Sequence, residues 1–134
     1  MILVDTSVLI DWLRGKENCS TKSFDRIVET ETPFGISILT YQEVLQGSKN
    51  DKEYELLKDY LGTQKIYYLP NDVLFFNKSS DLYRLLRYKG ETIRSTVDLL
   101  IAMTAIYYEL QLLHNDKDFQ VLSENFKELI IYKK

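Results

Sequence analysis

Five short aliphatic and β-branched runs recur along the chain: ILVD at 2–5, FGISI at 34–38, KIYYL at 65–69, LQLLH at 110–114 and LIIY at 129–132. Each is too short for a helix and suits a strand buried on both faces. Between them lie longer stretches with helical spacing and capping residues. VLIDWLRG reads as a helix that ends at Gly15, and residues 22–31 give a second. Thr40, with Glu43 three residues on, has the spacing of a capping box. Helices are expected over 51–61 and 72–88, over 97–110 behind Ser95 or Thr96, and over 118–125. No Asn-Gly hairpin signal appears between runs. Strand and helix alternate throughout, which predicts an α/β chain: a five-stranded parallel sheet flanked by about seven helices. With 134 residues, five Gly and two Pro, one domain spanning 1–134 is expected.

In an open parallel sheet, function gathers beyond the carboxyl ends of the strands, where the strand order reverses. Acidic residues collect at those places in this sequence. Asp5 ends the first run. Asp116 and Asp118 follow the fourth. Glu43 lies near the start of the helix after the second, and Asp98 in the first turn of the helix leading into the fourth. Each has an ordinary use at a helix N-terminus. Together, in the apolar settings VDT and VDLLIA, they would repel one another unless a cation offset them. Oxygen ligands suit Mg²⁺ or Mn²⁺, whereas one Cys and one His disfavour zinc. Such an ion activates water and stabilises phosphoryl charge, chemistry suited to phosphodiester hydrolysis.

The net charge of −3 looks wrong for a nucleic-acid partner. Of the 20 acidic residues, however, 15 remain against 17 basic ones once these five are set aside. The stretch from Lys78 to Arg94 carries five basic and two acidic residues. Within it Lys89 and Arg94 lie just before Asp98, within reach of phosphates flanking a cut. No P-loop, EF-hand or GxSxG pattern is present. The lone Cys19 excludes an intrachain disulfide. Asp5 interrupts the N-terminal apolar run too early for a signal peptide, and LLIAMTAIYY is too short to span a bilayer, so a cytoplasmic protein is the default expectation.

Four blocks, MILVDTSVLIDWLRG, TYQEVLQG, IRSTVDLLIAMTA and LLHNDKDF, resemble the PIN-domain ribonucleases, specifically the VapC-type toxins of toxin–antitoxin pairs. The resemblance runs over essentially the whole chain. It implies a sheet of order 3-2-1-4-5 and a Mg²⁺-dependent endoribonuclease, with Mn²⁺ as substitute. It implies Asp5, Glu43, Asp98 and Asp116 as catalytic acids, with Asp5, Asp98, Asp116 and Asp118 as metal ligands. Thr6 or Ser7 would support Asp5 or the metal water, and the turn at Asn115 would set where Asp116 points. The partners implied are an RNA substrate, a VapB-like antitoxin and a second copy of the chain. The sequence departs from the pattern at His114, where Thr is usual; a packing or hydrogen-bonding role is expected there rather than that of a general base. The antitoxin is expected on 39–61, which carries Leu39, Tyr41, Val44, Leu45, Tyr54, Leu57, Tyr60 and Leu61 on two short helices, and it would send an Arg toward the acids. A catalytically silent RNA- or protein-binding module of the same fold is the alternative.

Overall fold

The computed structural model describes residues 1–134. The elements in chain order are β1 (Ile2–Val4), α1 (Thr6–Leu13), α2 (Cys19–Glu29), β2 (Phe34–Ser37), α3 (Ile38–Gln46), α4 (Asp51–Gly62), β3 (Lys65–Tyr67), α5 (Val73–Tyr88), α6 (Thr96–Tyr107), β4 (Gln111–Leu113), α7 (Lys117–Asn125) and β5 (Ile130–Ile131). All strand pairings are parallel and the order is β3-β2-β1-β4-β5, as expected. No helix is long and apolar enough to cross a membrane.

Period-two alternation within the strands divides the core into two layers. Leu3 pairs with Leu112 in register, and both face a layer built with Leu82, Leu86, Ile101, Met103, Phe119 and Leu122 from α5, α6 and α7. Ile2, Val4, Ile36 and Leu113 face the opposite way, against Val8, Leu9, Phe24, Ile27, Val44 and Leu61 from α1 to α4. Burial of both sheet faces explains why the strands read as unbroken apolar runs. Truncating a fully buried leucine here, such as Leu112 to Ala, is expected to cost about 2–5 kcal/mol. Gly35 has a steric reason. A Cβ there would sit 2.5 Å from Tyr67 Cε2 and 2.9 Å from the Lys65 carbonyl oxygen.

Several boundaries move from expectation. Ser37, not Thr40, caps α3, its Oγ accepting from the Leu39 amide at 3.1 Å. Thr40 and Glu43 therefore form no capping box; both are turned toward α1. The second helix begins at Cys19, three residues early, because Asn18 and Thr21 form a reciprocal capping box. Helix α1 ends in the turn that glycine favours: Gly15 has φ +73°, its amide bonds the Trp12 carbonyl, and Lys16 N bonds the Asp11 carbonyl at 2.9 Å. Gly90 repeats the device at the end of α5, with Glu91 N on the Leu86 carbonyl.

Candidate active site

Strand register creates the site. Val4 pairs with Leu113, and the Asp5 amide donates to the Leu113 carbonyl at 2.9 Å, so Asp5 and the residues after β4 leave the sheet side by side. Asp5 caps α1 with one carboxylate oxygen only. Its Oδ2 accepts from the Ser7 amide at 2.9 Å and the Ser7 hydroxyl at 2.6 Å. Its Oδ1 is buried and has no partner. The Ser7 hydroxyl in turn accepts from the Asn115 amide at 3.0 Å, tying the turn after β4 to the start of α1. Asp116 caps α7 in the same manner, with Oδ1 accepting from the Asp118 amide at 2.9 Å.

Two further acids complete the wall. Glu43 sits on α3, where the Thr6 hydroxyl donates to its Oε1 at 2.7 Å; the Thr40 hydroxyl oxygen is 3.0 Å from that of Thr6. Asp98 occupies the first turn of α6, behind the Ser95 cap. Its helix is apolar on nearly all sides and packs as the central helix of its layer, which holds Asp98 at the sheet edge. Asp5, Glu43, Asp98 and Asp116 line one open cleft of about 390 Å³, together with Thr6, Ser7, Asp11, Lys16 and Asn115.

The electrostatics are those of crowded carboxylates. Burial pushes the Asp5 carboxyl up to about 6, against the lowering effect of its Ser7 hydrogen bonds. Asp98 is pushed up to about 7, first by burial and then by Asp5, Asp116, Glu43 and Asp118. The donor set is all oxygen, and a buried carboxylate oxygen is orphaned on its wall, which fits a hard divalent cation. No three of the acids close on one point as a finished cage, so any such ion would complete its shell with water, as Mg²⁺ commonly does.

The remaining expected residues divide. Asp118 is 6% exposed, and its Oδ2 accepts from the Arg94 amide at 3.2 Å and lies 3.6 Å from the Arg94 Nε. It stands behind Asp116 rather than on the cleft wall. Arg94 reaches the rim, its Nη2 3.5 Å from Asp116 Oδ1. Lys89 does not join it; its ammonium donates to Asn125 Oδ1 at 3.0 Å. His114 is buried against Phe119, ring centroids 5.2 Å apart. Burial, and then Lys134, lower its pKa to about 4, with Asp116 opposing. Two polar cleft residues, beside the apolar Ile10, were not foreseen from the sequence. Asp11 accepts from Asn18 Nδ2 and Asn115 Nδ2, each at 3.2 Å, and Lys16 is the one basic side chain lining the cleft. The helical spacing of Asp11 from Ser7 was a signal for the first; the position of Lys16 depends on the turn at Gly15.

Of the segment 39–61, Val44, Leu45 and Leu61 are core, and Leu39, Tyr41, Leu57 and Tyr60 are partly buried against it. Tyr54 is exposed, as is Leu56. A groove of about 420 Å³ between α3 and α4 is lined by Ile38, Tyr41, Gln42, Leu45, Gln46 and Tyr54.

Comparison with known proteins agrees with this fold. The PIN domain family model matches residues 2–125. Ribonuclease VapC1 of Methanocaldococcus jannaschii is 33% identical over 124 residues, covering 92% of this chain and 82% of that protein. Ribonuclease VapC11 of Mycobacterium tuberculosis is 29% identical over 128 residues, covering 92% of each. Among solved structures, a chain of VapBC2 from Rickettsia felis, bound to a DNA fragment from its promoter, superposes with a TM-score of 0.75 at 22% identity over 98% of both chains. A toxin-antitoxin complex from Klebsiella pneumoniae gives 0.66 at 26% identity, over 89% of this chain and 90% of that one. With four acids gathered at the reversal point of a 3-2-1-4-5 sheet and a family match over nearly its full length, the chain belongs to the PIN domain family, in its VapC-type branch.

Proposed function

We propose that the protein is a metal-dependent endoribonuclease and the toxin of a two-component toxin–antitoxin pair. The observation that carries this reading is the convergence of Asp5, Glu43, Asp98 and Asp116 on one cleft, with Asp5 Oδ1 buried and unpartnered. The names borne by relatives, ribonuclease VapC1 and VapC11, support it. Asp5, Asp98 and Asp116 would hold the ion, directly or through its water shell, with Asp118 behind Asp116 fixing the position of Arg94 at the rim. Mg²⁺ or Mn²⁺, when bound, supplies an acidified water and offsets charge on the phosphoryl oxygens. The chain's own groups do the rest. Ser7 holds Asp5 so that only Oδ1 remains free. Thr6 holds Glu43 through Oε1, leaving Oε2 available for the proton that the attacking water loses. Lys16, in the loop after α1, and Arg94, in the loop before α6, can each take a phosphate of the RNA backbone.

Incubation of the purified protein with total RNA, with Mg²⁺, Mn²⁺ or EDTA, tests this directly when cut sites are mapped by end-sequencing. Discrete cation-dependent cuts are expected. Binding without cleavage under every cation would replace the enzyme with a silent RNA-binding module.

A structural neighbour solved as a toxin-antitoxin complex, from Klebsiella pneumoniae, supports an antitoxin partner. Its place, in this reading, is the α3–α4 groove, where an amphipathic helix can lie and send an Arg toward the carboxylates. Tyr54→Glu places a charge on the groove wall without touching the core. Affinity for the cognate antitoxin should fall at least tenfold while circular dichroism is unchanged; unaltered affinity would move the interface elsewhere. A homodimer belongs to the same reading, and sedimentation equilibrium of the purified chain tests it.

A further inference from the structure

The chain turns sharply after β4, and the turn decides where Asp116 points. Two nested hydrogen bonds shape it. His114 Nδ1 accepts from the Asp116 amide at 3.1 Å, and Asp116 Oδ1 accepts from the Asp118 amide at 2.9 Å. We propose that His114 is a positioning residue whose ring nitrogen stands in for an asparagine oxygen, closing the turn that aims Asp116 into the cleft. This rests on the site assignment of Asp116 made above.

The geometry is specific. A side-chain acceptor on residue i that takes the amide of residue i+2 is the bond of Asx and Ser/Thr turns. The chain uses it at Asp5 for Ser7, Ser37 for Leu39, Asp72 for Leu74 and Asp116 for Asp118, always with oxygen. His114 is the one place where nitrogen does it. Nδ1 lies as many bonds from Cα as Oδ1 of Asn, so the ring closes with the same atom count. An accepting Nδ1 puts the imidazole proton on Nε2. That Nε2 is buried and has no partner, an arrangement that costs stability. A residue serving only to pack against Phe119 would carry no such cost if it were Phe or Leu. What the imidazole adds is the bond to the Asp116 amide. The backbone around it is pinned as well: Ser20 Oγ donates to the His114 carbonyl at 2.9 Å, and the Asn115 amide donates to Ser7 Oγ. The side chain therefore acts on a turn whose start is already fixed, and the remaining freedom lies at Asp116.

Two measurements test this. Long-range ¹⁵N–¹H correlation on the wild type should find His114 Nδ1 unprotonated and hydrogen-bonded at neutral pH; an Nδ1-protonated ring would overturn the proposal. The variants His114→Phe, His114→Asn and His114→Thr then separate packing from acceptance, with folding checked by circular dichroism. His114→Phe keeps the ring and loses the acceptor. It should lose most of the Mn²⁺-induced rise in Tm and lower kcat at least about tenfold with KM nearly unchanged, the sign of a misplaced group rather than lost binding. His114→Asn and His114→Thr should recover most of both. A folded His114→Asn that responds to Mn²⁺ no better than His114→Phe would overturn the assignment, and so would a folded His114→Asn without the Mn²⁺ response should His114→Phe fail to fold. If the wild type cleaves no RNA, the nuclease reading fails, while the tautomer and the Mn²⁺ response still decide the role of His114.

Discussion

Asp5→Asn should make the metal-free protein more stable, and only at the right pH. The Asp5 carboxyl titrates near 6 in the fold against 3.8 in the unfolded chain, because burial disfavours its charge. Below pH 3.8 both states hold the proton and no penalty exists. Between 3.8 and about 6 the unfolded chain has released its proton while the folded one has not, so stability falls as pH rises. Above about 6 both are ionised and the penalty is constant, about 3 kcal/mol from a difference of roughly two pH units. Asn keeps the cap, since its Oδ1 can accept from the Ser7 amide, and it cannot ionise. For a chain of this length 1 kcal/mol moves Tm by roughly 3–5 °C, so in EDTA the variant should melt about 10 °C above the wild type at pH 8. The gap should close to nearly nothing by pH 4. With millimolar Mn²⁺ the wild type should gain more than the variant, because the ion binds the folded acids. Differential scanning calorimetry across pH 4–8 reads all three. A variant less stable than wild type at pH 8 in EDTA, or a gap of equal size at pH 4 and pH 8, would refute the reasoning.

The raised Asp98 and Asp5 values mean that the metal-free site carries protons near neutrality, so Mn²⁺ affinity should climb between pH 5.5 and 8, and calorimetry in buffers of different ionisation enthalpy should detect proton release; a flat affinity across that range would count against a shared ion site. Arg94→Ala and Lys16→Ala should each weaken RNA binding and lower the slope of log affinity against log salt by about one, whereas Lys89→Ala, whose ammonium is tied to Asn125, should change neither. Filter binding at four salt concentrations separates them, and an effect of Lys89→Ala equal to that of Arg94→Ala would restore Lys89 to the interface. Thr6→Val preserves shape but removes the hydroxyl on Glu43; kcat should drop roughly 10–100-fold with the Mn²⁺-induced Tm shift retained, if Glu43 handles the proton rather than the ion.

The alternation of strand runs and helical segments was sufficient to foresee a parallel α/β sheet, because the central strands β1 and β2 are covered on both faces and their runs are continuous. The strand order was not in that pattern; it came from the family resemblance. Helix starts were the least readable feature. Ser37 and Thr40 are both competent caps for α3, and the choice between them depends on where each side chain lands in three dimensions. Thr40 is drawn off its own helix start to Thr6, thirty-four residues away. Lys89 and Arg94 look equivalent in sequence, five residues apart, yet the left-handed turn at Gly90 leaves one facing α7 and the other facing the acids. Within 39–61 an apolar residue is core or surface according to how α3 and α4 pack, so Leu57 and Leu56, adjacent in sequence, fall on opposite sides of that division.

The acids themselves show why the ordinary reading and the functional one could not be separated along the chain. Asp5 and Asp116 each cap a helix, which is the common use of aspartate at such positions, and each also lines the cleft. A carboxylate has two oxygens, and capping occupies one. At Asp5 the capping bonds to Ser7 take Oδ2, so they also fix the direction of Oδ1. The cap is thus the device that aims the ligand, at no cost in extra residues, and a helix N-terminus following a parallel strand brings it to the carboxyl edge of the sheet. Glu43 follows the same logic from the other side, with Thr6 holding one oxygen. A capping aspartate at one strand end is commonplace; what distinguishes this chain is that β1 and β4 are neighbours in register, so two such caps open toward each other. That fact is a property of the pairing of Val4 with Leu113, more than a hundred residues apart, and no local window of sequence contains it.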